Sequence, residues 1–287
     1  MPNERQLKLA IPKGRMFDNI TSLFEDANIR ISGNSRQYLP HISDPDIEAK
    51  VLKPQNIAKL VELGSHDIGF TGLDWIVESG AEVKEMIDLQ LDPVRIIAAI
   101  PHCFDEETLK SRPIVAASEY IHLSKNFLDD QGYDYYLLRT FGATEAYPPE
   151  DADLIIDNTA TGRTLKEHKL KIISSIMNSS TRMIANSEAL AQPWKREKIE
   201  ELTMLLSAVL QARSRVMLEM NVPSTKLEEV VGILPCMRAP TVAKLYMDQG
   251  YSVKVAVKTA ETLKLIPKLK RLGVSDILEY KIRKVVT

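Results

Sequence analysis

Cysteine is nearly missing from this chain of 287 residues. Cys103 and Cys236 stand far apart, which excludes a disulfide-stapled fold and the short cysteine pairs that hold zinc or do redox work. The histidines His41, His66, His102, His122 and His168 are scattered and show no ligand spacing. No apolar run approaches the ~20 residues of a membrane span, so no membrane partner is expected. Neither sign of charge dominates: the net charge of -2 leaves no basic footprint for nucleic acid. No serine–histidine–acid or cysteine–histidine set stands out, and no paired carboxylates suggest glycoside hydrolysis, so covalent catalysis has no support. No secretory pattern opens the chain, which predicts a cytoplasmic protein with reduced thiols.

What is present is ordinary globular material, 44% hydrophobic and 26% charged, arranged in a clear rhythm. Leu7 to Ile11 alternates as a strand, and Phe17, Ile20, Leu23 and Phe24 then recur at helical spacing. Ile47 to Val51 reads as a strand, Pro54 opens a helix that Gly64 ends, and Asp67 to Phe70 is a short strand before another helix. Val94 to Ile100 is almost wholly apolar, as a strand buried on both faces would be. Strands at Pro113–Ala117, Asp134–Leu138, Leu170–Ile176 and Arg182–Ala185 continue the pattern, with a helix over His122–Gln131. Alternating strands and helices give βαβ units and a largely parallel sheet. Two α/β lobes result, crossing over near Val94 and returning near residue 180, and the crevice between them is the default ligand site. Glu188 to Arg213 reads as one long helix that Pro193 divides. The tail reads β-α-β-β-α-β, the ferredoxin-like order. Its strands are Val216–Met220, Thr241–Met247, Ser252–Lys258 and Ser275–Val285. A capping box of Thr225 and Glu228 starts its first helix, and Pro267 either kinks the second or marks its first turn.

Three strand-to-helix turns carry unusual residues. In Asp157-Asn158-Thr159-Ala160-Thr161-Gly162-Arg163-Thr164, an acid ends an apolar strand and a turn of hydroxyls and one glycine enters a helix. Helix-start amides favour anions, the threonines add donors, and Gly162 permits close approach. The stretch reads as a phosphate cradle, with Asp157 for sugar hydroxyls or a metal; an ordinary N-cap threonine explains the same residues. Lys13-Gly14-Arg15 sets two cations at a helix entrance, a second anion site or a solvated basic turn. Thr71-Gly72-Leu73-Asp74 combines a hydroxyl, a glycine and an acid at a strand end. Together they suit a substrate with several phosphates and a ribose.

Those residues also carry a resemblance. Leu9-Ala10-Ile11-Pro12-Lys13-Gly14-Arg15, Asp67 to Asp74 with Glu78 following, Gly142-Ala143-Thr144-Glu145-Ala146-Tyr147-Pro148, and Asp157 to Leu165 are similar, in order, to motifs of the ATP phosphoribosyltransferase family. That family opens histidine biosynthesis, and the tail resembles the regulatory domain of its long form. The resemblance implies two Rossmann-like lobes of periplasmic-binding-protein type forming a cleft, plus the ferredoxin-like domain. Lobe I is expected over 1–93 with a return segment 180–213, lobe II over 94–179, and the regulatory domain over 214–287. It implies that adenine N1 of ATP attacks C1 of phosphoribosyl pyrophosphate and that pyrophosphate leaves, with Mg2+ accompanying it. The non-catalytic alternative is a bilobed anion-binding or regulatory protein.

The implied roles follow residue by residue. Thr159, Ala160, Thr161, Gly162, Arg163 and Thr164 would bind the ribose 5-phosphate. Asp157 and Glu145 would contact ribose hydroxyls or magnesium. Arg15 and Arg36 match arginines that stabilise the departing pyrophosphate, with Lys13 and Gly14 facing the same anions. Thr71, Gly72, Asp74, Ser118 and Tyr120 stand where relatives hold the nucleotide. In the tail, Asn221, Met237, Ala239, Thr241 and Val257 lie where L-histidine, the family's feedback inhibitor, would bind. Asn221 replaces an acid, Ala239 a serine, and Asp276 a small residue. A homo-oligomer between dimer and hexamer is implied as well.

Overall fold

The computed structural model describes residues 6–34, 37–235, 237 and 239–286. The chain divides into two compact units, one of residues 1–22 and 29–200, the other of residues 23–28 and 201–287.

The first unit holds two five-stranded sheets. Lobe I runs β1 (Leu7–Pro12), α1 (Arg15–Asp26), the short strands β2 (Ile31–Ser32) and β3 (His41–Ile42), β4 (Ile47–Leu52), α2 (Pro54–Glu62), β5 (Ile68–Gly72), α3 (Leu73–Ser79) and β6 (Lys84–Asp88). Lobe II follows with β7 (Val94–Pro101), α4 (Glu106–Lys110), β8 (Ile114–Ser118), α5 (Ile121–Gln131), β9 (Tyr135–Arg139), β10 (Leu154–Thr159), α6 (Arg163–Glu167) and β11 (Leu170–Ser179). The chain then returns through β12 (Thr181–Ala185), α7 (Ser187–Ala191) and α8 (Pro193–Arg213).

The strand orders are β4-β1-β5-β12-β6 and β11-β7-β10-β8-β9. In each sheet the βαβ neighbours run parallel, β1 with β4 and β5, and β8 with β9 and β10. The strands adjoining the crossings run antiparallel: β12 enters lobe I beside β5, and β7 enters lobe II beside β10. This is the two-crossing topology expected of a bilobed cleft.

Burial follows the sequence pattern. In β7, Ile96 to Ile100 are fully buried, whereas β4, near the sheet edge, buries alternate residues. Gly69 is required by packing: a Cβ there would lie 2.6 Å from a methyl carbon of Ile57 on α2. The proline expected to divide the long helix does so, since α7 stops at Ala191 and α8 begins on Pro193.

The second unit adds β13 (Arg215–Val222), α9 (Leu227–Ile233), β14 (Thr241–Lys244), β15 (Tyr251–Lys258), α10 (Thr259–Arg271) and β16 (Ser275–Lys281). Its sheet order is β14-β15-β13-β16, the ferredoxin-like arrangement. Strict alternation on β13 sends Val216, Leu218, Met220 and Val222 into a core shared with Val253, Val255 and Val257 of β15 and with Leu265 and Leu269 of α10. Three local expectations fail. No side-chain cap forms at the start of α9, because a 3₁₀ turn over Ser224–Lys226 places Lys226 rather than Thr225 at the helix entrance. The strand expected to reach Met247 ends at Lys244, where the backbone turns and Met247 takes a left-handed conformation. The last strand, expected to run to Val285, ends at Lys281. Of the two places open to Pro267, the structure takes the interior of α10.

Candidate active site

The site begins with two connections whose backbone is unusual. Gly162 has φ +73°, a left-handed conformation that a side chain would strain, and it brings α6 directly under the end of β10. The Thr159 hydroxyl accepts from the Gly162 amide at 2.9 Å, and the Thr161 hydroxyl from the Arg163 amide at 3.4 Å. Each hydroxyl oxygen is engaged as an acceptor, so its proton remains free to donate outward. The second connection joins β9 to β10. Gly142 at φ +108° and Ala143 at φ +50° set up a 3₁₀ turn over Thr144–Ala146 that presents Glu145.

A cavity of about 350 Å³ lies over this turn, lined by Arg15, Glu145, Asp157, Thr159, Thr161 and Thr164 among others. Burial pushes the Asp157 carboxyl up, and the charges of Glu145 and Glu119 push it further. Hydrogen bonds from the Asn158 amide, at 2.7 Å, and from Thr144 pull the other way, and the result is about 6. This acid is poised between its two protonation states near neutral pH.

Arg15 faces the same cavity from the first residue of α1. Its side chain is 67% exposed, and its Nε donates to Asp92 Oδ1 at 3.0 Å. Only 7% of the Asp92 side chain is exposed. It accepts from Asn19 Nδ2 at 2.8 Å and from Thr181 Oγ1 at 3.4 Å. Asp92 sits on the outgoing crossing between β6 and β7 and Thr181 at the start of the returning β12. Backbone bonds Thr181 N→Leu91 O and Leu89 N→Thr181 O, 2.9 and 3.0 Å, zip the two crossings together.

A buried relay joins the lobes beside Arg15. Asp74, in the first turn of α3, accepts from Ser179 Oγ at 2.5 Å and from the Tyr120 hydroxyl at 2.7 Å. The Tyr120 oxygen accepts in turn from Asn158 Nδ2 at 3.1 Å. Burial, then the Asp74 charge, raise the Tyr120 phenol far above its ordinary range, so it stays a neutral donor. Its ring stacks on Trp75 with centroids 4.4 Å apart. A cavity of about 150 Å³ lies against this relay, lined by Arg15, Gly72, Asp74, Tyr120 and Asn158. A third, of about 470 Å³, opens against the crossings beside Asp88, Arg95, Ala160, Asn178 and Arg182. Nearby, Glu78 at the end of α3 accepts from the His122 and Leu123 amides, both at 3.0 Å, so an acid of lobe I caps helix α5 of lobe II.

The expected residues divide accordingly. Arg15, Glu145, Asp157 and Thr159 to Thr164 surround one cavity, apart from Gly162, which shapes the turn beneath it. Lys13 and Gly14 are exposed at the entrance to α1. Thr71 and Ser118 stand near the expected place but point inward: Thr71 donates to the Pro54 carbonyl at 2.8 Å, and Ser118 to the Ile156 carbonyl at 2.6 Å. Their hydroxyls are spent on the backbone carbonyls of α2 and β10 and are not offered to a nucleotide. Tyr120 is buried between α3 and Asn158 and acts as a bridge. Arg36 lies outside the described residues. In the tail, Val257 packs in the core beneath the sheet, whereas Met237, Ala239 and Thr241 are exposed. Asn221 Nδ2 donates to Asp276 Oδ2 at 2.8 Å.

Sequence reasoning missed Asp92, Trp75, Ser179 and the partner of Glu78. Asp92 and Thr181 are far apart in sequence and meet only because both crossings are laid side by side. Asn158 left a usable signal: next to Asp157 on β10, it faces the opposite side, where it meets Tyr120 of the same lobe.

Family models place the chain. The model described as ATP phosphoribosyltransferase matches residues 53–208, and the one described as the HisG C-terminal domain matches 212–284. The ATP phosphoribosyltransferase of Chlorobium phaeovibrioides is 39% identical over 99% of this chain and 99% of its own length. That of Pelotomaculum thermopropionicum is 37% identical over 98% of this chain and 99% of its own length. A solved ATP phosphoribosyl transferase (HisG:HisZ) complex from Thermotoga maritima superposes with TM-score 0.65 at 26% identity, covering 72% of this chain and 99% of the other. A non-catalytic solute-binding protein is therefore not favoured. With both models matched in order along a bilobed fold and a ferredoxin-like tail, the chain belongs to the ATP phosphoribosyltransferase family, pentosyltransferases that catalyse the first step of histidine biosynthesis.

Proposed function

We propose that the 350 Å³ cavity is where the 5-phosphoribosyl group passes from phosphoribosyl pyrophosphate to adenine N1 of ATP. The observation that carries this reading is the opposition, across one cavity, of the Thr159–Thr164 turn and the Arg15 guanidinium. The turn holds the ribose 5-phosphate through the Thr159, Thr161 and Thr164 hydroxyls, and Asp157 and Glu145 receive the ribose hydroxyls. Arg15, with Arg36, Lys13 and Gly14, takes the pyrophosphate. C1 becomes oxocarbenium-like as that group departs, so orientation and charge stabilisation replace a protein nucleophile. Adenine enters along Gly72 and the Asp74–Tyr120 relay, where a 150 Å³ cavity adjoins the first. Incubation with ATP, magnesium and phosphoribosyl pyrophosphate tests the reading: pyrophosphate and one new nucleotide should appear together. Binding without either product would refute it.

Magnesium suits the residues present. Asp157 is an acid crowded by burial and by Glu145 and Glu119, which a cation relieves. Among the described residues no group of three or more His, Cys, Asp or Glu forms a metal cage, and an ion carried on phosphate oxygens needs none. When bound, magnesium neutralises the leaving group, and Asp157 would hold it with the substrate's own oxygens.

The tail supports feedback by L-histidine. Hydrogen bonds from Asn221 and Ser275 hold the Asp276 carboxyl below its usual range, so an ionised acid persists beside position 221. Asp276 would receive the ligand ammonium, while Val257 only supports the strand; Met237, Ala239 and Thr241 lie at or just before β14, the sheet edge opposite to β16, and would meet the ligand from a neighbouring subunit. Calorimetry should detect L-histidine binding, and Asp276→Ala should abolish it; equal heats in both proteins would remove Asp276 from the site. The same reading takes lobe I as 1–93 with 180–213, lobe II as 94–179 and the regulatory domain as 214–287, in a cytoplasmic homo-oligomer between dimer and hexamer. No helix among the described residues is long and apolar enough to cross a membrane.

A further inference from the structure

We propose that Asp92 is a positioning residue that aims Arg15 at the leaving pyrophosphate, making the interlobe crossing a working part of the site. The inference rests on the reading above, in which Arg15 faces that pyrophosphate. An exposed arginine has many rotamers, and a displaced guanidinium stabilises nothing. The Nε–H of Arg15 is spent on Asp92 at 3.0 Å. That single bond fixes the plane of the fork and leaves the four Nη hydrogens for an anion.

Asp92 can act as a fixed post because two further donors hold its carboxylate. Its side chain is 7% exposed. It accepts from Asn19, one turn further along α1 than Arg15, and from Thr181 on the returning crossing. Its backbone is left-handed, φ +49°, a conformation that Asp and Asn tolerate better than most residues. A carboxylate beside an anion site is otherwise unfavourable, since it repels the phosphates. Its place there makes sense when its charge is committed to a cation. Asp92 also pins α1 to the crossing through Asn19, and that bond does not need the Arg15 side chain. A pair with an arginine as exposed as Arg15 adds little stability on its own. Because Asp92 and Thr181 lie on the two crossings, any change in lobe angle would also change where Arg15 points.

The test is a double-mutant cycle on the full chain, read as kcat and KM with magnesium present. Asp92→Asn keeps the left-handed backbone and an acceptor but removes the charge. We expect kcat to fall about 10- to 100-fold, the scale of losing near-attack geometry, with the KM for ATP within about twofold of the unmodified chain. In an Arg15→Ala background the same substitution should cost nothing further. Methylguanidinium should restore part of the Arg15→Ala rate while Asp92 is present to seat it, and none in the double variant. A double variant slower than Arg15→Ala by the full Asp92→Asn factor, or equal rescue in both backgrounds, overturns the inference. Rescue is also the readout if Asp92→Asn proves less stable. Should Arg15→Ala turn over normally, the assignment of Arg15 to the pyrophosphate fails first, and this inference with it.

Discussion

The two sides of the substrate cavity are built in opposite ways. The Thr159–Thr164 turn is self-contained: its hydroxyl-to-amide bonds span two or three residues, and Gly162 supplies the left-handed step. The Arg15 side is assembled from distant pieces, with 77 residues separating Arg15 from Asp92 and 89 separating Asp92 from Thr181. A local turn forms its binding shape as soon as its own residues take their dihedrals. A side chain held by a distant post acquires its aim only when both crossings are in place. One side of the cavity is thus a fixed cradle for a phosphate, and the other is a charge whose direction depends on the interlobe geometry.

The sharpest way to break this contrast is Arg15→Lys. Lysine keeps the positive charge but loses both the planar fork and the Nε–H that meets Asp92. If aim matters as argued, kcat falls by ~10²-fold, towards the cost of deleting a charge-stabilising donor. Near-normal turnover would mean that charge alone suffices and that the Asp92 contact is incidental. Steady-state kinetics with phosphoribosyl pyrophosphate varied decides between them.

Asp157 gives the next effect, and it belongs to the cradle side. Its carboxyl titrates at about 6 in the folded chain. The ionised form accepts from ribose hydroxyls more strongly and alone holds a cation, so kcat/KM should fall by up to about tenfold per pH unit below that value. Stability runs the other way. The folded value lies above the ordinary value of 3.8, so folding favours the protonated acid and this contribution is lost as pH rises towards 6. Asp157→Asn should therefore melt higher at neutral pH while losing activity and the acid limb together. Phosphate groups of the substrate titrate nearby and leave a limb of their own, which the variant isolates. An unchanged limb in Asp157→Asn would assign all of it to the substrate.

The same contrast explains what could be read from the sequence. Asp157 to Thr164 was legible because its chemistry is contiguous: an acid at a strand end, hydroxyls, one glycine. The lobes were legible because β7 is almost wholly apolar and β13 alternates, and each pattern has few structural interpretations. Thr71 and Ser118 misled because a hydroxyl at a strand end can point either way along the pleat. Packing against Pro54 and Ile156 turned both inward. Nothing local marks Asp92 as Arg15's partner, since the fact is one of topology: two crossings lying side by side. The failed cap at α9 has a similar cause, as the 3₁₀ turn that shifts the helix start is set by the chain entering from β13.

The smallest effect tests the cradle by its own logic. Thr161→Ala removes one exposed hydroxyl whose only described partner is the Arg163 amide, at a long 3.4 Å. The turn is still shaped by Thr159 and Gly162, so the fold and kcat should hardly change. What is lost is one outward donor to the 5-phosphate, worth about 0.5–1.5 kcal/mol, so the KM for phosphoribosyl pyrophosphate should rise by roughly two- to twelvefold. A group that binds substrate and transition state alike changes KM and spares kcat, whereas a group that acts on the leaving pyrophosphate changes kcat. Thr161→Ala and Arg15→Lys should therefore separate cleanly onto the two kinetic constants. If Thr161→Ala lowers kcat instead, the cradle takes part in breaking the C1 bond, and the division between a holding side and a breaking side fails.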